Sequence, residues 1–431
     1  MKIVNIEAFP IRVKNDFDIG RKADTKNINT AMLEVKDLKK RKVDTTKKYN
    51  QVKKRNLEPK SLGNYETSIK DMGEYYVDEG SATSIYSKSH ETTVVKIETE
   101  TGIIGWGEAQ SPVSPNTTAT IIKDIVEPLT IGKDIYDVES IWHNNYSSKR
   151  ERGHYTGFYI DAICGVDIAI WDAIGKSLNM PTCKAMGGAH RKSVTLYNGI
   201  GGTEPEEVAD QAEWSVSKGY KFVKMHIKES LEKDIEIARK VRERVGDSIG
   251  IMIDVHMGFD TFNVIKLGKE LEKLNLLWIE SPSDPTDIPG LCEISRSLDI
   301  PIANGEWTRT KYEMREIFEK RAYDISMPDI ARTGITGGKQ IASIAQLYNI
   351  PISPHVGGGG IVSVASTLQF SLNTPNFLIM EHSEQGHAVK SMILAEKFEA
   401  QNGEFHLSDK PGLGIEIDED KLRKFTIDPS L

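Results

Sequence analysis

The second half of the chain repeats one pattern, a short apolar run typical of a β-strand followed by a longer stretch with helical periodicity. In the helical stretch 229–245, for example, apolar residues recur three or four positions apart and form one stripe. Eight strand–helix units in roughly 190 residues predict an α/β fold, a closed (β/α)8-type barrel of parallel strands. The predicted strands are Val194–Tyr197, Phe222–Ile227, Gly250–Val255, Leu277–Ile279, Ile300–Ala303, Ile325–Met327, Ile350–Ser353 and Phe377–Met380.

An open, doubly wound sheet is the alternative fold. Such sheets commonly bind a dinucleotide through a G-x-G-x-x-G motif after a strand, and that motif is missing here. The nearest string to a P-loop, Gly337–Gln340, lacks both the upstream glycine at the required distance and the following Ser or Thr. We therefore prefer the barrel.

Strand patterns at the two ends of the chain predict a second domain. Residues 2–13 alternate, and residues 92–108 read as two strands joined by a turn at Glu100–Gly102, which together indicate a small meander in an α+β domain. Lys410–Asp418 reads as a turn and a strand that returns to this domain. The predicted divisions are 1–145 with an insertion at about 15–90, 146–385 for the barrel with its leading helix, and 386–431 for the returning segment.

Two charged stretches have simple structural interpretations. Residues 36–60 hold eleven Lys or Arg and three Asp or Glu, which predicts a solvated, partly mobile excursion. A substrate-capping loop and a contact with an anionic partner are the functional alternatives. The helical pattern 159–176 carries Asp161, Asp167 and Asp172, which we expect to face solvent or helix neighbours.

The composition restricts the partners and the location. The formal net charge of −8 argues against nucleic acid as a main partner. The three cysteines, Cys164, Cys183 and Cys292, lie far apart, which favours a reducing compartment over a disulfide framework or a zinc site. Residues 1–10 lack the apolar run of a signal peptide, and no run approaches the ~18 residues of a membrane span. We expect a soluble, cytoplasmic protein without a membrane partner.

Ionisable residues end six of the predicted strands at nearly constant spacing. Successive members are separated by 26, 26, 23, 26 and 26 residues. In a barrel the carboxyl ends of the strands converge on one mouth, where catalysis takes place. The six residues are Asp254, Glu280, Glu306, Asp329, His355 and Glu381.

The first three of these residues predict a metal site. Asp254, Glu280 and Glu306 end consecutive strands, and three converging carboxylates repel one another unless a cation lies between them. A few carboxylate ligands with room for water and substrate suit Mg2+. His256, two residues after Asp254, shares its strand face by alternation and is expected near a metal-bound substrate.

Further residues supply acids and bases around that site. Asp329 and His355 end adjacent strands, and an aspartate beside an imidazole orients it as a general base. Lys224 and His226 alternate on the second strand and can both face inward. Glu381 hydrogen-bonds a developing oxyanion if it is protonated, or a hydroxyl if it is not. The set suits removal of a proton α to a carboxylate.

At this point the sequence resembles the enolase superfamily, specifically its mandelate racemase-like subgroup. The resemblance covers nearly the whole chain outside about 15–90 and rests on the order and spacing of several short motifs. These are Lys224-Met-His226, Asp254-Val-His256, Glu280, Glu306, Met327-Pro-Asp329, Pro354-His355 and Pro411-Gly-Leu-Gly-Ile-Glu416.

The resemblance implies a capping domain, built from both termini, over the barrel, and Mg2+ on the three carboxylates. It also implies His355, assisted by Asp329, as the general base and Glu381 as an electrophilic helper. Lys224 would contact the substrate carboxylate or the metal site. An even-numbered homo-oligomer is expected from the same likeness.

Two departures from the family pattern change the expected reaction. Racemases of the family have a second lysine where this chain has His226, so racemisation is less favoured, although His226 is an alternative second base. His256 resembles the arrangement in the family's galactonate and mannonate dehydratases, where it is expected to protonate the leaving hydroxyl. The newly protonated His355 is the alternative acid. The resemblance therefore implies an acid-sugar dehydratase acting on an aldonate or aldarate.

Other functions remain open at this stage. A cycloisomerase or an epimerase would use the same enediolate, and a non-catalytic relative would bind the ligand without exchanging its α-proton. The expected substrate-selecting segments are Ser87–Thr92, the insertion 15–90 and Arg152–Tyr155. Trp307 could wall the pocket, and Gly357–Gly360 could present N–H groups to an anion.

Overall fold

The computed structural model describes residues 1–14, 68–79 and 84–427. The lysine-rich stretch 36–60 and most of the predicted insertion 15–90 lie outside the described residues. The topology confirms the predicted fold class, an α/β barrel with a separate domain of antiparallel sheets. Domain boundaries at residues 145 and 385 stay predictions. No helix in the described part of the chain is long and apolar enough to cross a bilayer.

Among the described residues before the barrel, six strands are present: β1 (Ile3–Lys14), β2 (Ser68–Met72), β3 (Tyr75–Glu79), β4 (Ser84–Ser87), β5 (Ser89–Thr99) and β6 (Ile104–Ala109). An antiparallel sheet in the order β1-β5-β6 confirms the predicted meander. Its turn contains Gly102 at φ 81°, a conformation that glycine adopts at little cost. A second small antiparallel sheet has the order β2-β3-β4.

Five helices follow this sheet: α1 (Pro115–Ile121), α2 (Glu127–Thr130), α3 (Val138–Ser148), α4 (Phe158–Ser177) and α5 (Thr182–Ala185). α4 is buried along nearly its whole length and packs directly on β6. A Cβ atom at Gly107 of β6 would lie 1.9 Å from the carbonyl oxygen of Gly165 in α4. The two backbones therefore touch, which requires glycine at this position. Short 3₁₀ turns cover Ile135–Asp137, Arg150–Arg152, Glu272–Leu274 and Ser391–Ile393, and a π-helical turn covers Ile122–Val126.

The three aspartates of α4 are structural, as expected, and of the two predicted environments they occupy contacts with neighbouring groups, not solvent. All three are buried, with exposed fractions of 1–3%. Asp161 accepts from Arg309 Nε at 2.8 Å, and Asp167 accepts from the N–H of Thr336 at 2.9 Å. Asp172 accepts backbone N–H groups from two other segments. Their carboxylates satisfy buried donors of neighbouring elements, and an unpaired buried donor would be costly.

Seven strands form the barrel: β7 (Ser193–Gly201), β8 (Phe222–His226), β9 (Gly250–Asp254), β10 (Ile279–Glu280), β11 (Ile302–Asn304), β12 (Ile325–Ser326) and β13 (Met380–His382). Neighbours pair in parallel in chain order, and β13 pairs with β7. The predicted strand at 350–353 is reduced to Ile352, which bridges Ser326 on one side and Phe377 on the other and closes the barrel. Pro351 and Pro354 flank Ile352, and proline has no N–H to donate to a longer ladder.

Helices surround this sheet, as the apolar stripes predict: α6 (Pro205–Ser217), α7 (Leu231–Val245), α8 (Thr261–Leu271), α9 (Ile288–Ser297), α10 (Met314–Lys320), α11 (Ile330–Leu347) and α12 (Ile361–Asn373). The barrel interior is a packed cluster that includes Tyr197, Met252 and Trp278. The rings of Tyr197 and Trp278 meet edge to face at 5.6 Å. Polar side chains at the strand ends therefore lie above a filled interior.

The C-terminal segment contains α13 (Glu384–Lys390), β14 (Glu404–His406) and α14 (Glu419–Phe425). β14 pairs antiparallel with β7 on the outside of the barrel. The tail then returns to the N-terminal domain, as predicted. Lys96 of β5 lies 2.7 Å from Glu419, and the N–H of Ile427 donates to the carbonyl of Pro10 at 2.7 Å.

The predicted strand within Lys410–Asp418 is wrong. This segment makes only isolated bridges, at Gly412 and Ile417. The N–H of Leu413 donates to the Asp172 carboxylate at 2.8 Å, so this backbone group serves α4 instead of a strand ladder.

Candidate active site

The barrel register brings the predicted metal ligands together. Glu280 of β10 lies opposite Asp254 of β9 in the parallel pairing, and Glu306 comes two residues after β11. The exposed fractions of Asp254, Glu280 and Glu306 are 2%, 0% and 4%. Three carboxylates therefore share one buried site at the mouth, and such a site needs positive charge nearby.

Lys224 provides part of that charge from β8. Its Nζ lies 2.6 Å from Glu280, 2.9 Å from Glu381 and 3.6 Å from Asp254. Burial opposes the ammonium, but Glu280 and Glu381 outweigh this effect and hold the pKa of Lys224 well above its ordinary value. Lys224 is therefore a fixed cation at the centre of the cluster.

The remaining donors can hold a metal ion. Donor atoms of Asp254, His256 and Glu306 lie within 4.8 Å of one another. Glu280, the third ligand predicted from the sequence, binds Lys224 and also accepts from Trp278 Nε1 at 3.1 Å. Convergent carboxylate oxygens suit a small, hard cation, so the residues fit Mg2+.

The predicted pair of His355 and Asp329 is formed. His355 Nδ1 lies 2.7 Å from Asp329, and Nε2 lies 2.9 Å from Glu306 and 3.7 Å from Glu381. Burial opposes protonation, but Glu306 and Glu381 outweigh it and raise the pKa of His355 well above its ordinary value. Asp329 also caps α11 by accepting from the N–H of Ala331 at 3.0 Å, which fixes its orientation.

His256 reaches the site by a different route from the predicted one. β9 ends at Asp254, and His256 has a left-handed backbone at φ 42°, so strand alternation does not position its side chain. Its N–H donates to Asp254 Oδ1 at 2.9 Å, which holds the turn. Its Nε2 lies 3.4 Å from the hydroxyl of Tyr86, and its ring meets that of Trp307 at 5.7 Å. Burial lowers the pKa of His256.

His226 and Glu381 also border the cluster, in contact with Asp254 and Lys224 respectively. His226 is 46% exposed, and its Nδ1 lies 3.0 Å from Asp254. Glu381 accepts from the N–H groups of Val356 at 2.8 Å and Gly357 at 3.1 Å. Burial opposes its ionisation, but Lys224 outweighs it and holds the pKa of Glu381 well below its ordinary value. An ionised Glu381 suits the second of its two predicted roles, acceptance from a hydroxyl, and that role stays a prediction.

The two outer N–H groups of Gly357–Gly360 donate to carboxylates of the protein itself and are therefore not free for a ligand. The N–H of Gly357 donates to Glu381, and the N–H of Gly360 donates to Glu108 of β6. Both groups are already satisfied by carboxylates. Trp307 lies beside the site, with its ring 5.7 Å from that of His256, and its role as a pocket wall stays a prediction.

Sequence reasoning missed two supports of Glu306. Ser281 Oγ donates to its carboxylate at 2.7 Å, and Arg332 donates to its carbonyl at 2.9 Å. Ser281 directly follows Glu280, so its position in the chain was a usable signal. No local pattern pointed to Arg332, because its side chain extends from the start of α11 to a carbonyl 26 residues earlier in the chain.

Comparisons with known proteins agree with this architecture. The family model of the enolase C-terminal domain-like proteins matches residues 207–421. The model of the mandelate racemase / muconate lactonizing enzyme N-terminal domain matches residues 78–187. The two matches together cover the barrel except β7 and the first residues of α6, and most of the described N-terminal domain.

Individual relatives lead to the same family. The chain is 32% identical to D-galactarolactone cycloisomerase of Agrobacterium fabrum, over 77% of this chain and 90% of that protein. It is 31% identical to arabinonate dehydratase of Saccharolobus solfataricus, over 76% and 88% of the two chains. A crystal structure of an enolase superfamily member from Agrobacterium tumefaciens shares the fold, with a TM-score of 0.81 at 23% identity and 98% of both chains covered. The protein is an enzyme of the enolase superfamily and belongs to its mandelate racemase-like subgroup.

Proposed function

We propose that this enzyme is a magnesium-dependent dehydratase that converts a sugar acid, an aldonate or an aldarate, to a 2-keto-3-deoxy acid. One observation carries the proposal: two imidazoles flank the carboxylate of Glu306. His355 Nε2 lies 2.9 Å from it, and a ring nitrogen of His256 lies within 4.8 Å of one of its oxygens. Dehydration needs a base for the α-proton and an acid for the leaving hydroxyl, and two imidazoles supply both.

Asp254, Glu280 and Glu306 are the proposed Mg2+ ligands. When bound, the cation supplies positive charge that stabilises the negative charge developing on the substrate carboxylate. In this assignment Glu280, which lies 2.6 Å from Lys224 here, would hold the cation instead of that contact. Lys224 is then available to contact the substrate carboxylate.

His355 removes the proton from the carbon next to that carboxylate. Glu306 and Glu381 favour the protonated imidazole in the free site, but with Glu306 holding the cation His355 would be neutral. Asp329, 2.7 Å from Nδ1, would then accept the Nδ1–H and leave the lone pair of Nε2 for the proton. The electron pair of the broken C–H bond moves into the carboxylate and gives an enediolate. Glu381 accepts a hydrogen bond from a substrate hydroxyl and limits the positions that the α-carbon can take.

His256 completes the elimination. It donates a proton to the 3-hydroxyl, the C3–O bond breaks, and water leaves while the enediolate electrons form a C2–C3 double bond. The enol then gains a proton at C3 and loses one from its hydroxyl, which gives the ketone. His226, beside Asp254, is the candidate second base of the site.

A substrate screen tests the proposal. Aldonic and aldaric acids are incubated with Mg2+, and 2-keto-3-deoxy products are detected. We expect at least one substrate, with activity lost in Asp254→Asn and in His355→Asn. Product formation that persists in either variant, or that ignores Mg2+ removal, would contradict the assigned roles. The name of the arabinonate dehydratase relative supports this choice of panel.

A cycloisomerase is the second candidate, because the relative at 32% identity is named D-galactarolactone cycloisomerase. Both reactions begin with α-proton removal. The mass of the product separates them, since cycloisomerisation conserves the substrate mass and dehydration lowers it by one water. A protein that binds Mg2+ and a sugar acid but never exchanges the α-proton in D2O would be a binding relative instead.

A further inference from the structure

A cavity of about 470 Å³ lies beside the carboxylate cluster, on the side formed by β7, β8 and β13. Its wall includes His226 and Glu381, so it is continuous with the candidate active site. Its volume lies within the ~300–1,000 Å³ typical of small-molecule sites. The cavity can therefore hold more of a substrate than its reacting end.

Glycines of β7 leave the space open. Gly199, Gly201 and Gly202 line the cavity, and a Cβ atom at Gly199 would lie 3.8 Å from the ring of His226. Backbone therefore forms this wall, close to His226. A substrate held by its carboxylate near Lys224 has room to extend its carbon chain here.

Lys390, the last residue of α13, places a cation in the cavity wall. Its Nζ donates to the carbonyl of Gly357 at 2.9 Å, and the N–H of Gly357 donates to Glu381. Gly357 therefore links the ammonium group of Lys390 to the carboxylate of Glu381 in the candidate active site. Among the described residues, Lys390 has no carboxylate partner within ion-pair distance.

The surroundings of Lys390 support an anionic ligand. Burial lowers its pKa, and the more distant carboxylates of Glu381, Glu108 and Asp329 do not offset this effect. A partly buried cation without a paired anion is costly, and a carboxylate in the cavity would remove that cost. The other charged group in the wall, Glu381, is already paired with Lys224 at 2.9 Å.

A polar atom in the same wall is unused. Gln385 Oε1 is buried and has no hydrogen-bond partner. Gln211, in contrast, has both amide atoms bound to the backbone of Gly201. A free acceptor in the same cavity wall as a cation suits a ligand that carries both a hydroxyl and a carboxylate.

We infer that this cavity binds the distal end of a sugar diacid, with Lys390 paired to its second carboxylate and Gln385 accepting from a hydroxyl. The inference rests on the proposed function and narrows it to aldarates. An aldonate of the same length ends in a neutral hydroxymethyl group, which would leave the ammonium unpaired.

Matched substrates test the inference. Galactarate and D-glucarate are compared with D-galactonate and D-gluconate, in kcat/KM and in calorimetric binding to the Mg2+-loaded enzyme. We expect at least tenfold preference for the diacid. In Lys390→Met, the diacid-to-monoacid ratio should fall at least tenfold, mainly through KM and Kd, because a desolvated charge pair is lost. Lys390→Arg should restore part of the ratio.

Controls keep the outcomes distinct. Lys397→Met removes a lysine whose side chain is 77% exposed, and it should leave the ratio unchanged. Dehydration of aldonates in preference to aldarates would overturn the inference and leave the proposed function standing. Absence of any dehydration would overturn the proposed function, and binding would then decide the inference. The inference would be overturned if the diacid and the monoacid bind equally or do not bind. A diacid-to-monoacid ratio that does not change in Lys390→Met would also overturn the inference.

Discussion

The two histidines beside Glu306 have different surroundings, and this predicts separable roles. His355 is held by Asp329, whereas His256 contacts Tyr86 and Trp307. We expect His355→Asn to lower kcat by about 10²–10⁴-fold and to stop α-proton exchange, because the base is lost. His256→Asn should lower dehydration similarly but keep exchange. Both rates are measured in D2O, by product formation and by NMR of the α-carbon.

A matched variant controls for the loss of an imidazole. His143 is exposed on α3, outside the site, so His143→Asn should change neither rate. His256→Asn with dehydration intact would rule out its role as the acid. Exchange that persists in His355→Asn would move the base to another residue, His226 being the first candidate.

At the scale of elements, the contact between β6 and α4 sets the position of the N-terminal domain. Gly107→Ala would place a Cβ atom 1.9 Å from the Gly165 carbonyl, so the backbones must separate. We expect the free energy of unfolding to fall by about 3 kcal/mol, as in overpacked cores. Urea denaturation measures the change.

A second glycine gives the matched comparison. A Cβ atom at Gly337 in α11 would find its nearest neighbour at 3.7 Å, which is ordinary contact. Gly337→Ala should therefore raise the free energy of unfolding by about 0.5–1 kcal/mol, because alanine costs less than glycine inside a helix. Equal effects of the two substitutions would contradict the close backbone contact.

Asp167 links α4 to α11 and makes stability depend on pH. Burial raises the pKa of Asp167 from 3.8 to about 7. Between these values the unfolded chain is ionised while the folded protein keeps its proton, so this residue's contribution to stability declines as pH rises through that window and is constant above it. We expect the Asp167→Asn substitution to remove this pH-dependent decline in the free energy of unfolding.

The free energies of unfolding of wild type and Asp167→Asn, measured at pH 4, 6 and 8, check this sign. The variant should gain on the wild type by an amount on the order of 2–4 kcal/mol between pH 4 and pH 8. If the free energy of unfolding of the variant minus that of the wild type stays constant or falls as pH rises, Asp167 is ionised in the folded protein.

For the whole molecule, the carboxylate cluster predicts stabilisation by Mg2+. A cation that binds only the folded protein at 100 times its Kd adds about 2.7 kcal/mol. We expect Mg2+ to raise Tm and Asp254→Asn to abolish the increase. Asp409→Asn, which changes a carboxylate that is 95% exposed, should leave the increase intact. An increase that persists in Asp254→Asn would place the cation elsewhere.

The fold was largely predictable because its signals are repeated along the chain. Apolar periodicity predicted the barrel, its helices and the meander, since each burial pattern follows from the geometry of one element. The predicted strand at 350–353 and that within Lys410–Asp418 failed for different reasons. Prolines interrupt the first, and the second gives a backbone N–H to Asp172, a contact that no local pattern shows.

Sequence alone determined which residues gather at the barrel mouth, because the ends of parallel strands converge whatever lies between them. Tertiary structure alone decided how those residues are paired. Lys224 pairs with Glu280, and a left-handed backbone positions His256. Lys390, which follows the last barrel strand β13, contacts Gly357 in the cavity wall. These outcomes depend on distances between separate elements and on irregular backbone, which residue spacing does not encode.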